Sequence, residues 1–257
     1  MSATPRLYVK SDLSAKSYAA LSADQEKYLT RVLRLKAGDE VRVFNGRDGE
    51  WLAIIDEVIG KTVLLKAERL LKPFSASEDL WLLFAPLKKT RTDFVVEKAA
   101  ELGVSVIRPV MTERTQASRV NTDRLQATAM EAAEQTERQD LPVVEEPAGL
   151  DAVLAGWNPA RTLIFADEAG DDEEADWGGE HGRAEPMLDV LKTLKPGPAA
   201  ILIGPEGGFS PEERKMLRSL EFVTPVSLGP RILRAETAAV SALTLWQAAL
   251  GDWRPRS

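Results

Sequence analysis

The chain has no cysteine and one histidine, His181, in 257 residues. The missing cysteine excludes disulfides, thiolate zinc sites, iron–sulfur clusters and any cysteine nucleophile. A single histidine leaves almost nothing for a Ser-His-Asp triad or a multi-histidine site, and its Gly-rich acidic surroundings read as a loop; no metal is expected. No run approaches the ~20 consecutive apolar residues of a membrane span. Residues 1–10 lack the apolar stretch of a secretory signal, so a cytoplasmic chain without a membrane partner is expected.

What is present is an ordinary core-forming composition, 44% hydrophobic, with a net charge of −7. The charge is unevenly placed. Residues 167–185 hold nine acids against one arginine, a net of −8, which leaves the rest of the chain at +1. The acidity belongs to an insert at about 167–186, expected to be solvated and mobile, and RNA remains an admissible partner elsewhere.

The first seventy or so residues read as a small β-rich domain. Residues 40–44 (EVRVF) alternate, Asn45-Gly46 signals a tight turn, and residues 51–55 and 62–65 supply further strands. Residues 71–79, rich in Pro, Ser and charge between two apolar runs, read as a linker, so domains over 1–72 and 73–257 are expected. Beyond residue 80 strands alternate with helices, which implies βα units on a largely parallel sheet. Strands are expected over 80–85, 104–110 and 162–166, and helices over 93–102, 122–138 and 185–194.

Two later segments share one design: a buried strand, a Gly-bearing loop, then a helix. In the first, strand 199–203 is followed by the loop 204–209 (GPEGGF) and a helix whose start is signalled by Ser210 as cap, Pro211 at the first position and Glu213 completing a capping box. In the second, strand 223–228 is followed by 229–234 (GPRILR) and a helix from about 236 to 250, with Ala239, Leu243, Trp246 and Leu250 on one face and Gly251 ending it. Glycines let main-chain groups approach a ligand that a β-carbon would exclude. Neither loop fits the P-loop or the dinucleotide fingerprint, so another cofactor is needed.

At this point a family resemblance becomes specific. Residues 203–212 (IGPEGGFSPE) followed by 228–238 (LGPRILRAETA) resemble the bacterial RsmE family of small-subunit ribosomal RNA uridine N3-methyltransferases, in the SPOUT superfamily. Residues 31–39 (RVLRLKAGD), 97–103 (EKAAELG) and 131–138 (EAAEQTER) are also similar to segments of that family. The resemblance implies a PUA-like N-terminal β-barrel that binds RNA, a C-terminal SPOUT-type α/β domain with a trefoil knot, and a homodimer with cofactor sites near its interface. It further implies that S-adenosylmethionine sits among Ile203, Gly204, Pro205, Glu206, Gly207, Leu228, Gly229, Ile232, Leu233 and Arg234. The acidic insert departs from the compact family form.

Methylation at uridine N3 requires loss of the N3 proton and stabilisation of the charge left behind, which points to a carboxylate and an arginine; Glu206, Arg234 and Glu236 are the catalytic candidates. N3 lies on the Watson–Crick edge, so the target must be unpaired or flipped out and the surrounding RNA held. Arg6, Arg31 and Arg34 in the first domain and Lys88, Lys89, Arg91 and Arg114 in the second are the expected phosphate contacts, on ribosomal RNA or an assembled small subunit. Two other readings stand beside this one: a non-catalytic RNA-binding protein, and a metabolic enzyme using another nucleotide cofactor.

Overall fold

A computed structural model of the chain describes residues 4–60, 62–117, 119–167 and 184–254. Most of the expected acidic insert, with His181, lies outside the described residues. The chain divides into two compact units: Met1–Ala76 with Ala133–Leu141, and Ser77–Ala132 with Pro142–Ser257. Residues 133–141 therefore group with the N-terminal unit, which a boundary drawn once along the sequence does not capture.

The first unit is built from β1 (Arg6–Tyr8), β2 (Tyr18–Ala19), α1 (Ala23–Lys27), a π-helical turn at Tyr28–Val32, β3 (Glu40–Phe44), β4 (Glu50–Ile59) and β5 (Thr62–Lys72). Its five-stranded sheet has the order β1-β3-β4-β5-β2. Alternation places Val41, Val43, Ala53, Ile55, Val63, Leu65 and Ala67 in one core. β5 runs well past residue 65 and into the expected linker, because it pairs with β4 along its whole length, out to Glu50 opposite Lys72. Asn45-Gly46 does open a turn, with Gly46 at φ +81°, but the loop extends to Gly49 at φ +83°.

Arg6 is a correction. Expected on an RNA-facing surface, it is 8% exposed. Its Nε donates to Glu50 Oε2 at 2.8 Å, and its other nitrogens donate to the carbonyls of Ala133 at 2.7 Å and Arg138 at 2.6 Å. Burial pulls its guanidinium below the ordinary arginine range, with Glu50 opposing the shift. A side chain so buried and so occupied serves to fix residues 133–141 in this unit and is not presented to a phosphate.

The second unit carries β6 (Leu80–Phe84), α2 (Lys89–Glu101), β7 (Val106–Met111), α3 (Thr122–Gln135, its last turn counted with the first unit), β8 (Val143–Val144), β9 (Ala148–Gly149), α4 (Leu150–Ala155), β10 (Thr162–Ala166), α5 (Met187–Thr193), β11 (Ala199–Ile203), α6 (Pro211–Arg218), β12 (Val223–Val226) and α7 (Ala235–Ala249). Every pairing in its sheet is parallel, in the order β12-β10-β11-β6-β7-β8, with β9 on β7. Both faces are covered, as parallel sheets require. α2, α3, α5 and α7 bury one face around Leu82, Phe84, Ile201 and Trp246, and α4 and α6 bury the other around Leu83, Phe165 and Leu202. α2 begins at Lys89, ahead of the expected 93, because the Thr92 hydroxyl bonds both the N–H and the C=O of Leu87 and fixes the entry. α3 stops at Gln135, short of the expected 138, with Glu137 at φ +59°.

Candidate active site

In a parallel sheet all strands end at the same edge, and ligands collect where neighbouring strands send their connections in opposite directions. β6 and β11 are such a pair: they lie side by side, yet the chain leaves β6 toward β7 and leaves β11 toward β12, two positions the other way. Ala85 N–H still donates to the Ile203 carbonyl at 2.9 Å, so the two exits start from one fixed ladder. Only β10 separates β11 from β12. The two glycine segments thus begin two strand spacings apart, about 10 Å, a span suited to a nucleoside-sized ligand.

The first loop is held at both ends. A β-carbon on Gly204 would stand 2.6 Å from the Phe209 ring, which itself packs edge-on against Phe165 at 5.0 Å between centroids. Gly208, at φ +67°, donates to the Pro205 carbonyl and closes the turn. α6 then starts as the sequence predicts: Ser210 Oγ accepts from Glu213 N–H at 3.2 Å, and Glu213 Oε2 accepts from Ser210 N–H at 3.0 Å. The other Glu213 oxygen accepts from Glu113 N–H at 2.8 Å, tying α6 to the exit of β7.

The second segment leaves β12 at Ser227, whose N–H and C=O are bound by the Glu185 carbonyl and the Met187 N–H. Gly229 stands at φ +113° with open space where a side chain would be. Leu228 and Leu233 are half-buried against the core, while Ile232 is 87% exposed. Arg234 is exposed, and its carbonyl accepts the first bond of α7 from Ala238 N–H. Ile203 is buried in the core, so only its main chain faces the loop.

The two carboxylates predicted from sequence meet on one cation. Arg91 Nη1 lies 3.2 Å from Glu206 Oε1, and its Nε lies 3.6 Å from Glu236 Oε1. The second oxygen of Glu236, Oε2, is enclosed and has no hydrogen-bond partner among the described residues. Arg114 Nη1 donates to the Gly207 carbonyl at 3.0 Å. Two of the expected phosphate contacts, Arg91 and Arg114, therefore touch the first glycine loop, while Lys88 and Lys89 at the start of α2 are exposed. Arg31 and Arg34 are exposed in the first unit, Arg34 with φ +58°.

Sequence reasoning missed Asp167. It lies just past β10, between the two glycine segments, 2% exposed, and accepts from Arg214 Nε and Arg218 Nε at 2.8 Å each. Read along the chain it is merely the first acid of the insert. The available signal was Arg214 and Arg218 at i and i+4, two cations on one helix face that demand an anion.

Residues 75–247 match the family model of an RNA methyltransferase domain, and residues 21–68 that of an RNA methyltransferase PUA domain. The ribosomal RNA small subunit methyltransferase E of Rickettsia conorii is 36% identical over 242 residues, 93% of this chain and 93% of its own length. The chain belongs to the small subunit methyltransferase E family. Among solved structures, a methyltransferase of Legionella pneumophila in complex with its bound cofactor SAM superposes with a TM-score of 0.80 at 31% identity, over 97% of this chain and 99% of its own. The family member from Neisseria gonorrhoeae, bound to S-adenosyl methionine, does so with a TM-score of 0.76 at 25% identity, over 98% and 100%. A methyltransferase of this family thus stands behind both units, the PUA domain in the first and the methyltransferase sheet in the second. Among the described residues no helix is long and apolar enough to cross a membrane, and no three His, Cys, Asp or Glu side chains form a metal-binding group.

Proposed function

We propose that the chain transfers the methyl group of S-adenosylmethionine to N3 of a specific uridine in small-subunit ribosomal RNA. The observation that carries this reading is the pair of glycine segments two strands apart, with Glu206 and Glu236 drawn to a single arginine between them. Both structural relatives cited above hold the same cofactor in folds that match nearly all of this chain.

The residues present fit such a cofactor. Open space at Gly208 and Gly229 admits close main-chain approach, and the exposed Ile232 offers an apolar surface for a purine. Covering an isoleucine fully is worth about 1.5–3 kcal/mol, a fair share of a small-ligand affinity. Ile203, Gly204, Pro205, Glu206 and Gly207 would hold the molecule from one side, and Leu228, Gly229, Ile232, Leu233 and Arg234 from the other. Bound there, S-adenosylmethionine supplies an electrophilic methyl on a sulfonium. The chain must then make uridine N3 nucleophilic. Glu236, whose Oε1 faces Arg91, would accept the N3 proton, while the exposed Arg234 would stabilise the charge left on the flanking carbonyl oxygens. Glu206, at the loop tip, orients that site through Arg91.

Lys88 and Lys89, with Arg31 and Arg34, would contact phosphates of free or assembled small-subunit RNA. The reading includes a trefoil knot in the second unit, supported by the return of β12 past β10. It also includes a cytoplasmic location and a homodimer, the latter supported by the exposed Phe94 and Leu188 on helices that pack on α7. Calorimetry with S-adenosylmethionine and transfer of labelled methyl to unmodified small subunits test it together: saturable cofactor binding with RNA labelling is the expected result. RNA binding without cofactor binding would instead favour a non-catalytic RNA-binding protein.

A further inference from the structure

The geometry points to Arg91 as a positioning residue for the cofactor loop, with Arg114 as its counterpart, and not to either as an RNA contact. The inference rests on the cofactor reading above. Between Ile203, fixed in the sheet, and Ser210, fixed by its capping box, the loop tip has one internal backbone bond, from Gly208 N–H to the Pro205 carbonyl. Among the described residues, the side chains that hydrogen-bond this tip are Arg91, on Glu206, and Arg114, on the Gly207 carbonyl. They come from different elements, α2 and the β7–α3 connection, so the tip is braced from two directions.

Both braces spring from anchored backbone. Thr92 locks the chain at Leu87, one residue after Arg91 along the helix, and Glu113 N–H is held by Glu213 one residue before Arg114. Arg91 also reaches Glu236 with a second nitrogen, so one planar fork links the first glycine loop to the start of α7. An ammonium is a single point of charge and lacks that rigid fork. At this exposure each ion pair contributes little to stability, which makes the role one of geometry. The same pairing opposes the alternative. Two carboxylates within 3.6 Å of the Arg91 guanidinium already engage its Nη1 and Nε, which leaves fewer of its donors for a phosphate.

The test measures S-adenosylmethionine affinity by calorimetry, RNA affinity by anisotropy on isolated small-subunit ribosomal RNA, and steady-state KM for each. Arg91→Gln and Arg114→Gln should each weaken cofactor binding and raise its KM about tenfold, the scale of one lost charge-assisted hydrogen bond, with RNA affinity within about twofold of the unsubstituted chain. Arg91→Lys should recover only part of the loss. Arg91→Gln should cost much less in a Glu206→Gln background, because the pair acts as one unit. A fall in RNA affinity with unchanged cofactor affinity would overturn the assignment in favour of a phosphate contact. Additive effects of Arg91→Gln and Glu206→Gln with an equal drop in melting temperature would reduce Arg91 to a stabilising residue and also overturn it. Absence of cofactor binding by the unsubstituted chain would instead sink the cofactor reading itself, and this inference with it.

Discussion

Gly204 and Gly229 do different work with the same side chain. At Gly204 the constraint is space: a β-carbon would press on the Phe209 ring, which cannot retreat without disturbing Phe165. At Gly229 it is backbone: φ of +113° is hostile to any side chain although nothing crowds the position. Gly204→Ala should destabilise by about 1–3 kcal/mol, as overpacking does. Gly229→Ala should cost about 1–2 kcal/mol through strain alone. Urea denaturation measures both, and calorimetry should show weaker cofactor binding in each.

Charge at single positions also sets a pH dependence. Hydrogen bonds from Lys72 and Arg42 hold the Glu137 carboxyl down at about 2, from an ordinary 4.5. A depressed carboxylate contributes stability above its unfolded pKa and loses it as protons bind the folded form. The contribution of Glu137 should therefore be intact above about pH 4.5 and fade between there and about 2. Because this side chain is largely exposed, solvent screening keeps the effect small. Glu137→Gln should flatten the acid limb of first-unit stability, read by hydrogen exchange in β3 and β4.

α6 shows how an element can be written into local sequence. Ser210, Pro211 and Glu213 specify its start by chemistry confined to one turn, and the structure reproduces each bond. Ser210→Ala should lower stability by about 1 kcal/mol, measured by denaturant midpoint. The strands at 40–44, 80–84, 162–166 and 199–203 were legible for a related reason: buried or alternating runs bounded by turn residues carry their own signal. β1, β2, β8, β9, α4 and the π-helical turn were not, because each spans too few residues to show a period. Arg6 and Asp167 were misjudged because their partners are remote in sequence. Glu50 lies 44 positions from Arg6, and Arg214 lies 47 from Asp167. The glycine segments were legible as a pair of loops, but their spacing across β10, and the meeting of Glu206 with Glu236 on Arg91, follow only from strand order.

The chain as a whole carries a net charge of −7, yet its proposed partner is a polyanion. Placement eases the conflict, since residues 167–185 hold a net charge of −8 and the rest of the chain stands at +1. Lys88 and Lys89 are exposed at the start of α2, beside the site and outside its ion pairs. The double variant Lys88→Glu with Lys89→Glu should weaken RNA binding and lower the slope of its salt dependence by about 2, while cofactor affinity persists. Anisotropy across a salt series checks this, and an unchanged slope would remove both lysines from the RNA surface.

The family assignment, the strand order and the paired loops support a methyltransferase acting on small-subunit ribosomal RNA, and the proposed event is methylation of a uridine at N3. Nucleoside mass spectrometry of small-subunit ribosomal RNA from a strain lacking this gene tests it most directly. The account predicts the loss of one 3-methyluridine and its return when the unsubstituted chain is supplied. An unchanged set of methylated nucleosides, or the loss of a methyl group from a different base, would contradict it.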